Sequence, residues 1–153
     1  MSYDLMVFEP DAAPKYHQKF LDWYFGQTKW YEGHSYSDPA ITSHRLRNWF
    51  LEISDTFPPL NGVTAEDELP EDEASATDYS IGQQIIYAAF AWSKAANAYD
   101  TVFNLSAKHG VGFFDVSSSE EEVWLPESSS RLFLAHQKKP ASLKDKLWRL
   151  FTP

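Results

Sequence analysis

Alternating and helical spacings of apolar residues predict the elements in the first third of the chain. Residues 3–8 show a period of two, which predicts a strand that ends at Pro10. Aromatic residues at i, i+4, i+7 and i+8 predict a helix over residues 14–26. Ser43 is the expected N-cap of a second helix. The apolar stripe of that helix comprises Leu46, Trp49, Phe50, Ile53 and Phe57.

Residues 78–109 fit two descriptions, either one long helix or two strands followed by a helix. An internal glycine and Ser93, a residue type that favours helix caps, make the single helix less economical. We therefore predict strands over residues 79–83 and 85–92, and then a helix that Ser93 caps and Gly110 closes. The predicted buried face of that helix comprises Ala96, Tyr99, Phe103 and Ala107.

The remaining elements complete an α+β order. Short strands are predicted at residues 111–116 and 123–125, and an amphipathic helix is predicted from about Ser142. Its apolar positions are Leu143, Leu147, Leu150 and Phe151. The order is close to β-α-β-β-α-β, so we predict a ferredoxin-like α+β sandwich with an extra helix in the first crossover and a short C-terminal strand and helix. Helices would cover one sheet face and leave the other free for a partner or the C-terminal segment.

Length and charge distribution define the organisation of the chain. A single domain spanning residues 1–153 is expected from the length. The 22 acidic and 13 basic residues give a net charge of −9. Residues 48–93 hold nine acids and neither Lys nor Arg, whereas residues 131–153 hold six bases and one acid. These patterns predict an acidic loop at about 61–78 and a basic C-terminal segment at 131–153.

The acidic loop has three interpretations. Its densest part comprises Glu66, Asp67, Glu68, Glu71, Asp72 and Glu73. A solvated loop that maintains solubility is the ordinary explanation of such a run. A binding surface for a basic protein is the second, because concentrated negative charge accelerates association with a cationic partner. A calcium loop is the third, but the spacing of oxygen ligands that wraps a calcium ion is missing.

Composition excludes several classes of protein. Zero Cys excludes disulfide scaffolds, zinc-thiolate sites and cysteine nucleophiles. The acidic net charge disfavours nucleic acid and anionic membranes as partners, because both are negatively charged. The N-terminus has no signal-peptide pattern, and no apolar run is long enough to span a bilayer. We therefore expect a cytoplasmic protein without a cofactor or metal, and the sequence leaves its oligomeric state open.

An aromatic cluster follows the first helix. Six aromatic residues lie between positions 23 and 36, more than one helix stripe and a short loop can bury. Trp and Tyr are enriched in interfaces because they combine a large apolar area with a polar tip. Trp30, Tyr31 and Tyr36 would therefore anchor a partner if they are exposed, and would pack on the loop if they are not.

Catalytic and metal-binding patterns are weak. The nucleophile elbow, the zincin helix and the phosphate-binding loop are all missing, and the five His residues lack metal-ligand spacing. Asp115 follows two phenylalanines in a predicted strand, so its carboxylate is expected to be partly buried or to bond to the serine-rich turn after it. A deep pocket that contains His17, His44 or Asp115 with a strongly shifted pKa would favour an enzyme.

Four segments carry a resemblance to a known group of proteins. They are residues 2–8, 20–24, 86–93 and 108–116. The chain resembles small acidic bacterial proteins of unassigned activity, some of which are similar to the immunity proteins of contact-dependent and other polymorphic toxin systems. The resemblance implies a bacterial cytoplasmic protein that inhibits a toxin without catalysis.

The function hypotheses come from different classes. The leading one is an immunity protein that binds a basic toxin domain, with a nuclease as the favoured class, through acidic and aromatic surfaces. A nuclease needs a cationic cleft for its substrate, and an acidic protein would block that cleft. The alternatives are a small enzyme with an unidentified acid/base site, an accessory or regulatory protein-binding domain, and an acidic mimic of nucleic acid.

Overall fold

The computed structural model describes residues 1–60 and 69–139. The helices are α1 (His17–Gln27), α2 (His44–Ile53) and α3 (Ala95–His109). The strands are β1 (Tyr3–Phe8), β2 (Asp78–Ile81), β3 (Ile85–Phe90), β4 (Gly112–Phe114), β5 (Val123–Glu127) and β6 (Arg131–His136). No helix among the described residues combines the length and apolar character that crossing a bilayer requires.

The strands form one antiparallel sheet in the order β2-β3-β1-β4-β5-β6. The prediction of a mixed α+β fold is confirmed. The sheet is nevertheless not a simple ferredoxin-like sandwich, because β5 and β6 extend it to six strands. Helices also lie on both faces, so the prediction that one face is free of helices is wrong.

The two-sided core explains that arrangement. In the central strand β1, Leu5 and Val7 point to the face covered by α2 and α3. Met6 and Phe8 point to the opposite face, where Phe20 of α1 packs. Because both faces are covered, β1 shows a nearly continuous apolar run instead of a clean alternation of apolar and polar residues.

Two predicted helix ends are found, the start of α2 and the end of α3. The Ser43 hydroxyl accepts a hydrogen bond from the backbone N–H of Leu46, so this predicted N-cap is confirmed. Gly110 ends α3 in the left-handed conformation with φ of 69°, also as predicted.

The start and the buried face of α3 differ from the prediction. The helix begins one residue later than a Ser93 cap requires, because residues 92–94 form a 3₁₀ turn and Lys94 takes the N-cap position. Its buried positions are Ala98, Val102 and Ser106. Ala96 is exposed, so its assignment to the buried face is wrong.

Residues 78–109 form two strands and a helix, which confirms that choice over a single helix. The basic C-terminal segment contains an unpredicted element, β6, which pairs with β5. The register of this pairing shifts between residues 123 and 124. The helix predicted from Ser142 lies outside the described residues.

Candidate functional site

The acidic loop is only partly described. Glu66, Asp67 and Glu68 lie outside the described residues. Glu71, Asp72 and Glu73 are exposed, and Glu73 begins a short 3₁₀ helix that precedes β2. The Lys94 ammonium forms an ion pair with Asp72 and lowers the pKa of that carboxyl group. Elsewhere in residues 48–93, the carboxylate of Glu52 forms ion pairs with Lys108 and His109 of α3. Part of the segment's charge is therefore neutralised within the fold.

The three proposed aromatic anchors occupy different environments. Tyr31 is 87% exposed. Trp30 and Tyr36 are half-buried, and their rings meet edge to face with centroids 5.1 Å apart. Both adopt positive φ angles of 59°, so the backbone turns tightly at each end of this loop. The loop therefore presents one free aromatic side chain and holds two in place.

Hydrogen bonds attach this loop to the end of the β2–β3 hairpin. The backbone N–H of Ile81 donates to the carbonyl oxygen of Tyr36 at 2.8 Å. The Gln83 N–H donates to the Glu32 carboxylate at 2.9 Å. The loop thereby holds the Trp30 ring against Tyr87 of β3, with the two centroids 6.1 Å apart.

A row of residues across three strands places two carboxylates on the α1 face of the sheet. In the antiparallel register, Ala89 of β3 lies opposite Asp4 of β1 on one side and Asp78 of β2 on the other. Neighbouring strands are about 4.8 Å apart, so the two Asp backbones are separated by about 10 Å. The small side chain of Ala89 leaves a notch between the two carboxylates.

This notch opens into a cavity of about 370 Å³. The cavity is lined by Tyr24, Thr28 and Trp30 from α1 and the following loop, and by Asp78, Ser80, Tyr87 and Ala89 from the sheet. None of these lining residues is Lys, Arg or His. The cavity therefore combines aromatic walls with negative charge, and its size falls within the range of ligand-binding clefts.

The hydroxyl groups in the cavity remain donors at neutral pH. The Tyr87 hydroxyl donates to the Asp4 carboxylate at 2.5 Å. Burial raises the pKa of Tyr87 well above its usual value, and the hydrogen bond to Asp4 raises it further. Burial also raises the pKa of Tyr24, whose hydroxyl lies close to Tyr87. The two phenols are thus fixed as neutral groups beside the carboxylates.

A second titratable cluster joins the start of α1 to β6. The Nδ1 atoms of His17 and His136 are 2.7 Å apart, and Nε2 of His17 lies 3.3 Å from a carboxylate oxygen of Glu121. Burial lowers the pKa of His136, and the nearby His17 and Lys15 lower it further. The cluster therefore holds α1 against the sheet best when His136 is neutral.

Asp115 is the buried carboxyl group that its position after two phenylalanines suggested. It is 9% exposed, and its Oδ1 atom has no hydrogen-bond partner. Burial raises its pKa to about 6, and the charge of Glu122 contributes to the increase. The backbone N–H groups of Ser117 and Ser118 offset part of this effect.

The three groups considered for catalysis are not assembled into one site. His44 is exposed at the start of α2 and contacts Asn48, whereas His17 belongs to the cluster with His136. Asp115 does not line the cavity beside Trp30. Within the part of the chain that the structure describes, no three His, Asp or Glu side chains are placed to hold a metal ion.

Sequence reasoning missed most of the cavity. In the sequence, Asp78 is one of the nine acids of residues 48–93, and no motif distinguishes Asp4 or Tyr87. A local signal existed in β2, where exposed Asp78 and half-buried Ser80 alternate with buried Tyr79 and Ile81. That alternation identifies a polar surface on the sheet, but it does not identify which residues of other strands lie beside it.

Comparison with protein-family models, curated proteins and solved structures finds no match to the chain.

Proposed function

We propose that this chain is an immunity protein that binds and neutralises a basic toxin domain, with a nuclease as the favoured class of toxin. The observation that carries the proposal is the cavity in which Asp78 faces Trp30 and Tyr87 and no lining residue is a cation. Asp4, opposite Ala89 in the same row, adds a second carboxylate. Such a surface favours a cationic protein and disfavours nucleic acid.

The proposed mechanism is occupancy combined with charge complementarity. A nuclease must expose positive charge where it contacts phosphate groups, and an acidic protein seated there excludes the substrate. The inhibitor carries out no chemical step in this mechanism. We accordingly propose a non-catalytic protein that acts in the bacterial cytoplasm, where a nuclease toxin meets its substrate.

The exposed acids outside the cavity have a different proposed role. Glu71 and Glu73 are exposed in the described end of the acidic loop. Exposed charges separated from a partner by solvent affect the rate of encounter more than the strength of the final complex. We therefore assign steering to this loop, and anchoring to the cavity and Tyr31.

We also propose that the sheet derives from a ferredoxin-like arrangement. The order β2-β3-β1-β4, with every neighbouring pair antiparallel, supports this relation. In this proposal, β5, β6 and the packing of α1 on the second face are additions to that arrangement.

The test first sequences the reading frame directly upstream of the gene and uses a basic domain encoded there as the candidate toxin. The full chain is expected to inhibit nucleic-acid cleavage by that domain at a molar ratio of about one to one. Inhibition that disappears when Asp78 and Tyr31 are both substituted supports the assignment of the surface. Cleavage that continues in excess inhibitor contradicts the proposed function.

Two exposed tyrosines provide a matched comparison within this test. Tyr31 is 87% exposed and Tyr16 is 81% exposed, so neither substitution to Ala should change stability by more than about 0.5 kcal/mol. Tyr31→Ala should weaken toxin binding by about 2 kcal/mol, whereas Tyr16→Ala should leave it unchanged. Equal effects of the two substitutions contradict the role of Tyr31.

The same assay separates an immunity protein from an accessory binding domain. An accessory binding domain would bind the same toxin without inhibiting cleavage.

A further inference from the structure

We propose that the cavity beside Trp30 is a receptor for one arginine side chain of the partner, with the guanidinium lodged in the notch above Ala89. The inference deepens the proposed function, on which it rests for the identity of the partner. The feature that supports it is the cavity itself, with its volume of about 370 Å³, its aromatic walls and the Asp78 carboxylate in its lining. The Asp4 carboxylate adjoins the cavity through its hydrogen bond with the lining residue Tyr87.

The positions of the carboxylates favour a guanidinium over a compact ammonium ion. Asp4 and Asp78 belong to the strands on either side of β3. Asp78 lines the cavity, and the Asp4 carboxylate accepts a hydrogen bond from Tyr87, which also lines it. A guanidinium is planar and presents five N–H donors around its edge, whereas a lysine ammonium is a compact point charge. One guanidinium can therefore donate toward both sides of the notch at once.

The hydrogen bonds already present leave capacity on Asp4. Its Oδ1 atom accepts from the Ser2 hydroxyl at 2.5 Å, and its Oδ2 atom accepts from the Tyr87 hydroxyl at 2.5 Å. Because an ionised carboxylate has about four acceptor positions, further donors can still bind to Asp4. The existing bonds hold the carboxylate in one orientation, which lowers the entropy lost when a ligand binds.

Aromatic rings supply the remaining contacts. The planes of Trp30 and Tyr87 are inclined at 87°, so the two rings form perpendicular walls. A guanidinium stacks on aromatic faces, and Trp is the strongest partner for cations among the aromatic residues. The loop hydrogen bonds to Ile81 and Gln83 fix the position of the Trp30 wall before any ligand arrives.

The experiment measures binding of three short peptides to the full chain by nuclear magnetic resonance. The peptides are acetyl-Ala-Arg-Ala-amide and its counterparts with lysine or citrulline in the central position. The arginine peptide should shift the indole N–H signal of Trp30 and the amide signals of Ser80 and Ala89. The lysine peptide should bind at least about threefold more weakly, and neutral citrulline should cause no saturable shift.

Substitutions identify the binding position. Asp78→Asn removes a charge from an exposed position and should weaken arginine-peptide binding about tenfold. Asp100→Asn, at an exposed position of α3, should leave this binding unchanged. Ala89→Met fills the notch without changing charge and should abolish the shifts. If Ala89→Met does not fold, as judged by circular dichroism, the exposed Asp78 variant still decides the outcome.

The outcomes separate this inference from the proposed function. Equal shifts with arginine and citrulline, or arginine binding that Asp78→Asn leaves intact, overturn the arginine receptor. If the full chain inhibits the toxin but does not bind the arginine peptide, the arginine receptor is overturned and the proposed function is retained. If the full chain binds the arginine peptide but does not inhibit the toxin, the arginine receptor is supported and the proposed function is overturned.

Discussion

Replacement of Asp115 by Asn should stabilise the protein increasingly as the pH rises. The buried carboxyl group has its pKa raised from 3.8 to about 6, first by burial and then by the charge of Glu122. Between these two values the folded state binds a proton more readily than the unfolded state, so ionisation removes stability as the pH increases. Asn preserves the approximate shape of the side chain and removes this cost.

The magnitude follows from the two pKa values. At 1.36 kcal/mol per pH unit, the full cost of ionisation in the folded state is about 3 kcal/mol above pH 6. At pH 4.5 only about 1 kcal/mol of that cost is present, because the carboxyl group remains mostly protonated in the folded state. The stability advantage of Asp115→Asn should therefore grow by about 2 kcal/mol between pH 4.5 and pH 7.5.

Urea unfolding followed by circular dichroism at both pH values measures this difference. A constant penalty from the new amide group cancels, since it is the same at each pH. Glu122→Gln is the companion variant, because it keeps an acceptor for the Trp124 indole and removes the charge that raises the pKa of Asp115. Its effect on the pH dependence should therefore be small in the Asp115→Asn background. A stability difference that is constant or decreases with pH refutes the reasoning.

Two further predictions concern packing and the histidine cluster. Gly112→Ala should destabilise the protein by about 1–3 kcal/mol, because the new methyl carbon would lie 2.3 Å from the Phe8 ring. Gly26→Ala in α1, where nothing lies within 4 Å, should instead stabilise it by up to about 1 kcal/mol, and thermal melts of the two variants test the contrast. The pKa of His136 is lower in the folded state than its unfolded value of about 6.5. The stability that neutral His136 contributes is therefore fully present above about pH 6.5, and it is lost as the pH falls through the folded-state pKa. His136→Phe should therefore lose less stability than the wild type between pH 7.5 and pH 5; equal losses contradict this role.

Elements specified by local chemistry were predicted well. The Ser43 cap, the Gly110 terminus and the strand at residues 3–8 each depend on a few neighbouring residues. The 3₁₀ turn before α3 displaced the Ser93 cap, because a short turn of this kind satisfies the chain locally without a side-chain cap. β6 was missed because the positive charge of its segment masked the apolar run at 132–134.

The candidate site could not be assembled from sequence alone. Asp4 and Asp78 are far apart along the chain, and only the order β2-β3-β1 places them on either side of Ala89. The contact of Tyr87 with Asp4 depends on the same pairing. Both environments expected for Asp115, in contrast, are found: it is buried after its two phenylalanines, and the backbone N–H groups of Ser117 and Ser118 in the following turn bond to it. The sequence pattern thus predicts which residues are buried better than it predicts which residues of different strands lie side by side.

The ionic-strength dependence of association with a candidate basic toxin domain tests the central claim most directly. For the wild-type chain, the association rate should fall by about tenfold or more between low and high salt, because charge steering is screened. Asp78→Asn should reduce the affinity through faster dissociation, while Asp100→Asn should not. An association rate that is independent of salt, or an affinity that Asp78→Asn leaves unchanged, contradicts the account.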